Sequence, residues 1–202
     1  MLFRSISLEG PKGVGKTSTA RMRAKTYRAL DHPPTLEVLR ADPDRLLGGA
    51  EPILIDEWQR FPASWDLVRR AVDGNNRAGR FLLAGSASPQ SPPSHSGAGR
   101  IVTVKMRPLT LFERGVGAPT VSLSEMLKGE RPAITGSTGV TLADYVDEIV
   151  SSGFPGIRNK APRSRRALLD GYLTRIVDTD FLEAGQQVRI NQDYFILFVI
   201  EI

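Results

Sequence analysis

The chain has 202 residues, of which 41% are hydrophobic and 24% charged, a composition typical of a soluble globular protein with one domain and a small appendage. It contains no cysteine, which excludes disulfides, thiol catalysis and cysteine metal sites, and its net charge of +5 permits contact with nucleic acid without requiring it. No apolar run is long enough to span a membrane, and Met1 leads directly into a predicted strand without a signal peptide, so we expect a cytoplasmic protein.

A glycine-rich segment over residues 10–17 is the most specific motif of the chain. It fits G-x-x-x-x-G-K-[ST] at every position and lies between a predicted strand over residues 2–8 and a predicted helix over residues 18–25. This context predicts a P-loop, in which backbone N–H groups surround a phosphate chain, Lys16 reaches the terminal phosphates and Thr17 holds Mg²⁺. The predicted nucleotide-binding residues are Gly10, Pro11, Lys12, Gly13, Val14, Gly15, Lys16, Thr17 and Ser18.

A second predicted strand (residues 27–30) and an interrupted helical segment (residues 35–47) separate this loop from a pair of acids, Asp56 and Glu57. The acids end a continuous apolar run, residues 53–55, as expected of a strand covered on both faces of a parallel sheet. Functional groups of such sheets gather at the carboxyl ends of the strands. We therefore expect both acids to face the phosphates, Asp56 at the metal and Glu57 as the base that polarises an attacking water.

Two more strands complete the predicted sheet. A helix is predicted over residues 63–72, a strand over residues 80–84 that leads to Ser86, and a final strand over residues 101–106 after a loop rich in serine, proline and glycine. Five strands separated by helical segments predict an α/β fold with three layers, in which a mostly parallel sheet carries helices on both faces.

The rest of the chain is predicted to be helical. A capping pattern at residues 122–125 precedes a short helix, a second helix is predicted over residues 142–151 with Gly153 as its cap, and a third over residues 163–182. We interpret the apolar stripes of these helices as core. The last nine residues include eight hydrophobic ones, and we expect this tail either to be covered or to mark an interrupted chain. The predicted organisation is a nucleotide-binding core over residues 1–115, a helical extension over 116–190 and an atypical tail over 191–202.

A resemblance to a known family is carried by residues 10–17, 54–59, 82–88, 99–100 and 107–111. These segments are similar to those of prokaryotic AAA-type ATP-binding proteins, which join an ATPase core to a C-terminal domain of unknown function. The resemblance covers about residues 2–189 and implies an AAA-like P-loop fold with ATP and Mg²⁺ as ligands.

The same resemblance implies roles for single residues. Lys16 and Thr17 match the phosphate and metal contacts of the family, and Asp56 and Glu57 match its metal-linked acid and catalytic base. Two further positions match polar groups of the family: Ser86, as a sensor of the γ-phosphate, and Arg100, as an arginine finger. The chain departs from the family in its short helix after the P-loop and in residues 191–202, which do not match the C-terminal domain.

The sequence is compatible with several functions. An ATPase is favoured by the acid pair, and a nucleotide-binding module or truncated remnant without turnover is the alternative. A small-molecule kinase is disfavoured because no lid segment with clustered arginines is found, and a GTPase because residues 159–162 lack the aspartate that reads guanine. The sequence is also compatible with binding to a protein partner or to a second copy of the chain. The basic cluster at residues 158–166 has no interleaved aromatic residues, which favours a solvated helix face over a nucleic-acid surface.

Overall fold

The computed structural model describes residues 3–85, 97–176 and 178. Ser86, most of the predicted loop over residues 89–99, the end of the predicted last helix and the apolar tail lie outside these residues. By their contacts, the described residues divide into two compact units. The first holds the residues up to Met106 together with those from Leu169 onward, and the second is Arg107–Leu168.

The first unit is built on a sheet of five strands that all run parallel, which confirms the predicted α/β class. The strand order is β2-β3-β4-β1-β5. The strand that leads into the P-loop and the strand that ends in the acids are therefore separated by one strand, β4. Because the strands are parallel, their carboxyl ends nevertheless lie at the same edge of the sheet. The strands are β1 Ser5–Glu9, β2 Thr26–Ala29, β3 Ile53–Asp56, β4 Phe81–Ala84 and β5 Ile101–Lys105.

Helices cover both faces of this sheet. Alternate residues of a strand point to opposite faces, so the continuous apolar runs of β3 and β4 supply two cores. Leu54 and Leu82 belong to the core on the α1 side, which also contains Ala20. Ile53 and Phe81 belong to the larger core on the α2 and α3 side. The covering helices are α1 Lys16–Arg21, α2 Pro33–Ala41 and α3 Ala63–Gly74, with 3-10 helices at Pro43–Leu47 and Trp58–Arg60.

Helix α1 begins earlier and ends earlier than the sequence predicts. It begins at Lys16, directly after Gly15 in a left-handed conformation (φ 101°), so the lysine and threonine of the motif belong to its first turn. It ends at Arg21 because the chain must enter β2 at Thr26. The backbone N–H groups of Lys25 and Thr26 already donate to the carbonyl of Pro52, at 2.8 and 3.3 Å.

The second unit contains three short helices and the start of a fourth. Glu148 on α5 accepts hydrogen bonds from the guanidinium groups of Arg158 (3.1 Å) and Arg114 (3.2 Å), which hold the pKa of Glu148 below its ordinary value. Arg158 of the basic cluster is thus paired within its own unit. The helices are α4 Leu123–Leu127, α5 Leu142–Ser151, α6 Pro155–Arg158 and α7 Pro162–Arg175, of which α7 begins in this unit.

Two predictions about these helices require correction. The cap of α5 in the left-handed region is Ser152 (φ 67°), not Gly153. Gly153 is required for close packing, because a Cβ there would lie 2.7 Å from the Cβ of Pro108 and 3.0 Å from the carbonyl oxygen of Leu109. The apolar stripes are not a closed core: none of the described residues of α4 to α7 is fully buried, and Leu142 on α5 is 80% exposed. No helix in the described part of the chain is long and apolar enough to cross a membrane.

Leu46→Ala tests how far the larger core holds the first unit together. Leu46 is fully buried in that core, on the 3-10 helix that contacts α2 and α3, so we expect the free energy of unfolding to fall by about 2–5 kcal/mol. The measurement is urea unfolding followed by tryptophan emission, since Trp58 and Trp65 lie in the same core. Met22→Ala, at a side chain that is 85% exposed, should change the value by less than about 0.5 kcal/mol. Equal effects of the two substitutions would contradict this description of the core.

Candidate functional site

The glycine-rich loop connects β1 to α1 at the carboxyl edge of the sheet. Gly10 and Gly15 have φ values of 146° and 101°, which side chains with a Cβ adopt only with strain. Gly10 also passes against the end of β5, where a Cβ would collide with the carbonyl oxygen of Met106. The loop shape therefore depends on glycine both for its turns and for its close approach to the sheet.

Lys16 lies inside this loop. Its side chain is 6% exposed, and its Nζ donates hydrogen bonds to the carbonyl oxygens of Gly10 (2.7 Å) and Pro11 (2.8 Å). Burial lowers the pKa of Lys16 from its ordinary 10.5, and the nearby carboxylates of Glu57 and Asp56 act against this shift. The ammonium group is therefore held at the concave side of the loop with two acids in its neighbourhood.

Asp56 and Thr17 are brought together although they belong to elements separated by β4. The Thr17 hydroxyl donates to Oδ1 of Asp56 at 2.9 Å, from the first turn of α1 to the carboxyl end of β3. Asp56 is 5% exposed. A hydroxyl oxygen and a carboxylate, both oxygen ligands that Mg²⁺ prefers, thus lie beside the lysine of the loop.

A second side-chain hydrogen-bond partner of Asp56 was missed by the sequence analysis. The hydroxyl of Tyr27 on β2 donates to Oδ2 of Asp56 at 3.0 Å, while Arg21 on α1 places its guanidinium 4.6 Å from the centre of the Tyr27 ring. Burial, followed by the Asp56 carboxylate, raises the pKa of Tyr27 to about 12. The signal for this contact is the register of the sheet: Tyr27 pairs with Leu54, two residues before Asp56 on the same face of β3.

Glu57 follows Asp56 in a left-handed conformation, with φ 52° and ψ 44°. Such a conformation is uncommon for a residue with a side chain and is found where surrounding structure enforces it. Here the next residue, Trp58, is buried and stacks on Trp65 with ring centres 4.8 Å apart. The Glu57 carboxylate accepts a hydrogen bond from Nε2 of Gln59, a second contact that the sequence did not reveal.

Comparison with known proteins gives the family. A family model described as an AAA domain matches residues 3–114, more than half of the chain. The chain belongs to this AAA family. Its membership confirms the P-loop ATPase class indicated by the sequence and identifies residues 3–114 as a nucleotide-binding domain of the ATP-binding type.

Two curated mycobacterial proteins are similar to most of this AAA chain. Uncharacterized protein Rv2008c of Mycobacterium tuberculosis and Uncharacterized protein Mb2031c of Mycobacterium bovis are each 31% identical to it over 174 residues. The alignments cover 80% of this chain and 39% of each relative. The chain thus spans about two fifths of the length of these relatives.

Arg100, another predicted residue of the AAA domain, lies apart from this group. Arg100 precedes β5 at the amino edge of the sheet, where its Nε pairs with Asp73 at 2.6 Å and its carbonyl accepts from Ser5 at 2.6 Å. It does not meet the P-loop of its own chain, and its predicted role as an arginine finger stays a prediction. Ser86 lies outside the described residues, directly after Gly85 at the carboxyl end of β4.

A metal ion in this AAA domain would need ligands other than protein carboxylates. Within residues 3–85 and 97–176, no group of three or more His, Asp or Glu side chains is close enough together to hold a metal ion. A site with fewer than three such side chains suits Mg²⁺, which binds proteins through one or two carboxylates or hydroxyls and completes its shell with water and substrate phosphates. The Thr17 hydroxyl and the Asp56 carboxylate are oxygen groups of this kind, joined by their 2.9 Å hydrogen bond.

Gly85→Ala tests the packing around Glu57. A Cβ at Gly85 would lie 3.0 Å from Nε1 of Trp58 and would also meet Oε1 of Gln59, so the substitution must displace both side chains. We expect a changed near-ultraviolet circular dichroism of the tryptophan pair and a loss of about 1–3 kcal/mol in stability. Gly74→Ala is the matched control, because nothing lies within 4 Å of a Cβ there. Unchanged spectra for Gly85→Ala would refute this placement of Trp58 against Gly85.

Proposed function

We propose that this AAA domain binds ATP with Mg²⁺ at the P-loop and hydrolyses it to ADP and phosphate. The observation that carries the proposal is the convergence of Lys16, Thr17 and Asp56 at the carboxyl edge of the sheet, with Glu57 as the next residue. A glycine-rich turn without function would not need a buried ammonium group beside two acids, since burial of charge is costly unless a partner compensates it.

Nucleotide binding would use the loop and its lysine. The left-handed glycines let backbone N–H groups face the phosphate chain, and the Lys16 ammonium would exchange its carbonyl partners, Gly10 and Pro11, for phosphate oxygens. A charged hydrogen bond to phosphate is stronger than one to a neutral carbonyl, which favours that exchange.

The metal would be held by the Thr17 hydroxyl oxygen and, on its outer side, by Asp56. The hydrogen bond from Thr17 to Asp56 orients the hydroxyl so that its lone pairs are free on the side away from the carboxylate. When bound, Mg²⁺ supplies neutralisation of the charge that develops on the phosphate oxygens.

Glu57 is the proposed base. Its carboxylate would accept a proton from a water whose oxygen bonds to the γ-phosphorus, while the bond to the bridging oxygen breaks and ADP leaves. Gln59 donates to one carboxylate oxygen, Oε2, and leaves the other for the water. This division of the two oxygens is consistent with a base held in a defined orientation.

Lys16→Ala should weaken ATP binding about 10–100-fold, the loss expected when a charged hydrogen-bonding group is removed from the phosphates. Isothermal titration with Mg²⁺–ATP measures the change. Lys25→Ala, an exposed lysine outside the loop, should leave the affinity unchanged. If the folded wild-type chain does not bind ATP, or if Lys16→Ala binds equally well, the P-loop assignment is wrong.

Glu57→Gln should keep ATP binding within about threefold and lower turnover at least about 100-fold, because the amide cannot accept the proton. Phosphate release under saturating ATP measures the rate. Glu37→Gln, on the exposed side of α2, should retain the wild-type rate. A wild-type chain that binds ATP without releasing phosphate would instead leave the domain as a nucleotide-binding module, and a full rate in Glu57→Gln would remove Glu57 from the reaction.

A further inference from the structure

We propose that Tyr27 is a positioning residue for the metal-facing acid: its hydroxyl holds Oδ2 of Asp56 so that Oδ1 stays directed at Thr17 and at the Mg²⁺ of a bound nucleotide. This inference rests on the proposed function and adds a residue outside the P-loop motif. Its basis is that the two carboxylate oxygens of Asp56 accept hydrogen bonds from hydroxyls on different elements. Oδ1 accepts from Thr17 at 2.9 Å, and Oδ2 accepts from Tyr27 at 3.0 Å.

Two donors are needed because one does not fix a carboxylate. The terminal torsion of an aspartate side chain is broad, so the carboxylate plane rotates easily about its Cβ–Cγ bond. A hydrogen bond from Thr17 alone would restrain one oxygen and leave the plane free to tilt. With Tyr27 on the second oxygen, the plane is fixed by α1 on one side and by β2 on the other.

The ring of Tyr27 is itself held from α1. Arg21 lies four residues after Thr17 on the same face of that helix, and its guanidinium lies 4.6 Å from the centre of the Tyr27 ring, in range for a cation–π contact. The contacts therefore form a closed path from α1 to β2, from β2 to Asp56 on β3, and from Asp56 back to Thr17 on α1. The path couples the first turn of the P-loop helix to the acid strand.

A packing role alone does not explain Tyr27. Tyr27 is 37% exposed and belongs to neither of the two core clusters of the sheet. Its hydroxyl contacts the acid, and its ring contacts Arg21. Groups that orient a metal-binding side chain through a hydrogen bond typically change metal affinity or activity 10–100-fold when removed.

The test is Tyr27→Phe, which keeps the ring over Arg21 and removes only the hydroxyl. The quantity measured is the magnesium enhancement, defined as the Kd of ATP in EDTA divided by its Kd at saturating Mg²⁺. We expect Tyr27→Phe to lower this ratio about tenfold through weaker Mg²⁺–ATP binding, with the Kd in EDTA within about threefold of wild type. Tyr145→Phe, at a tyrosine that is 38% exposed in the other unit, should change neither value.

The outcomes separate the two proposals. A wild type that binds ATP under neither condition overturns the proposed function and this inference with it. A wild type that binds ATP, with the same enhancement in Tyr27→Phe, overturns the inference alone, and so does an equal loss of affinity with and without Mg²⁺. If Tyr27→Phe does not fold, Arg21→Ala decides: a reduced enhancement supports the inference and an unchanged one overturns it.

Discussion

Burial of both faces of the parallel sheet is the constraint on which the candidate site depends. In β3, Ile53 and Leu54 point into different cores, so a shift of the strand by one residue would exchange the two faces and place every side chain in the wrong layer. The resulting register places the carboxyl ends of β1 and β3 at one edge, with β4 between them. The loop and Asp56 therefore meet across an intervening strand, through the first turn of α1.

Asp56 is the residue that connects the sheet to the chemistry of the candidate site. Burying this acid is costly unless its oxygens are paired, and the fold supplies hydroxyl donors to both of them. Hydroxyls suit this place better than cations would. An arginine in place of Tyr27 would neutralise the acid, whereas the phenol leaves the negative charge of Asp56 available to a metal.

The sequence predicted the parts of this site that obey a spacing rule. Lys16, Thr17, Asp56 and the parallel sheet followed from an eight-residue motif, an apolar run and the alternation of strands with helices. Tyr27 did not follow, because its contact depends on β2 lying beside β3, and strand order is a property of the whole sheet. The Gly153 prediction failed for a related reason: local capping rules do not show which neighbouring segment packs against a glycine.

The backbone conformation of Glu57 depends on the packing of the neighbouring core. A left-handed conformation at a residue with a side chain costs about 1–3 kcal/mol, and the strand end would relax to an extended form if nothing opposed it. The burial of Trp58 opposes it, because relaxation at Glu57 would withdraw the indole from Trp65 and expose a large apolar surface. Gln59, one residue further, then reaches back to the Glu57 carboxylate. The tryptophan after the acids is therefore a core residue whose packing directs the acid that precedes it.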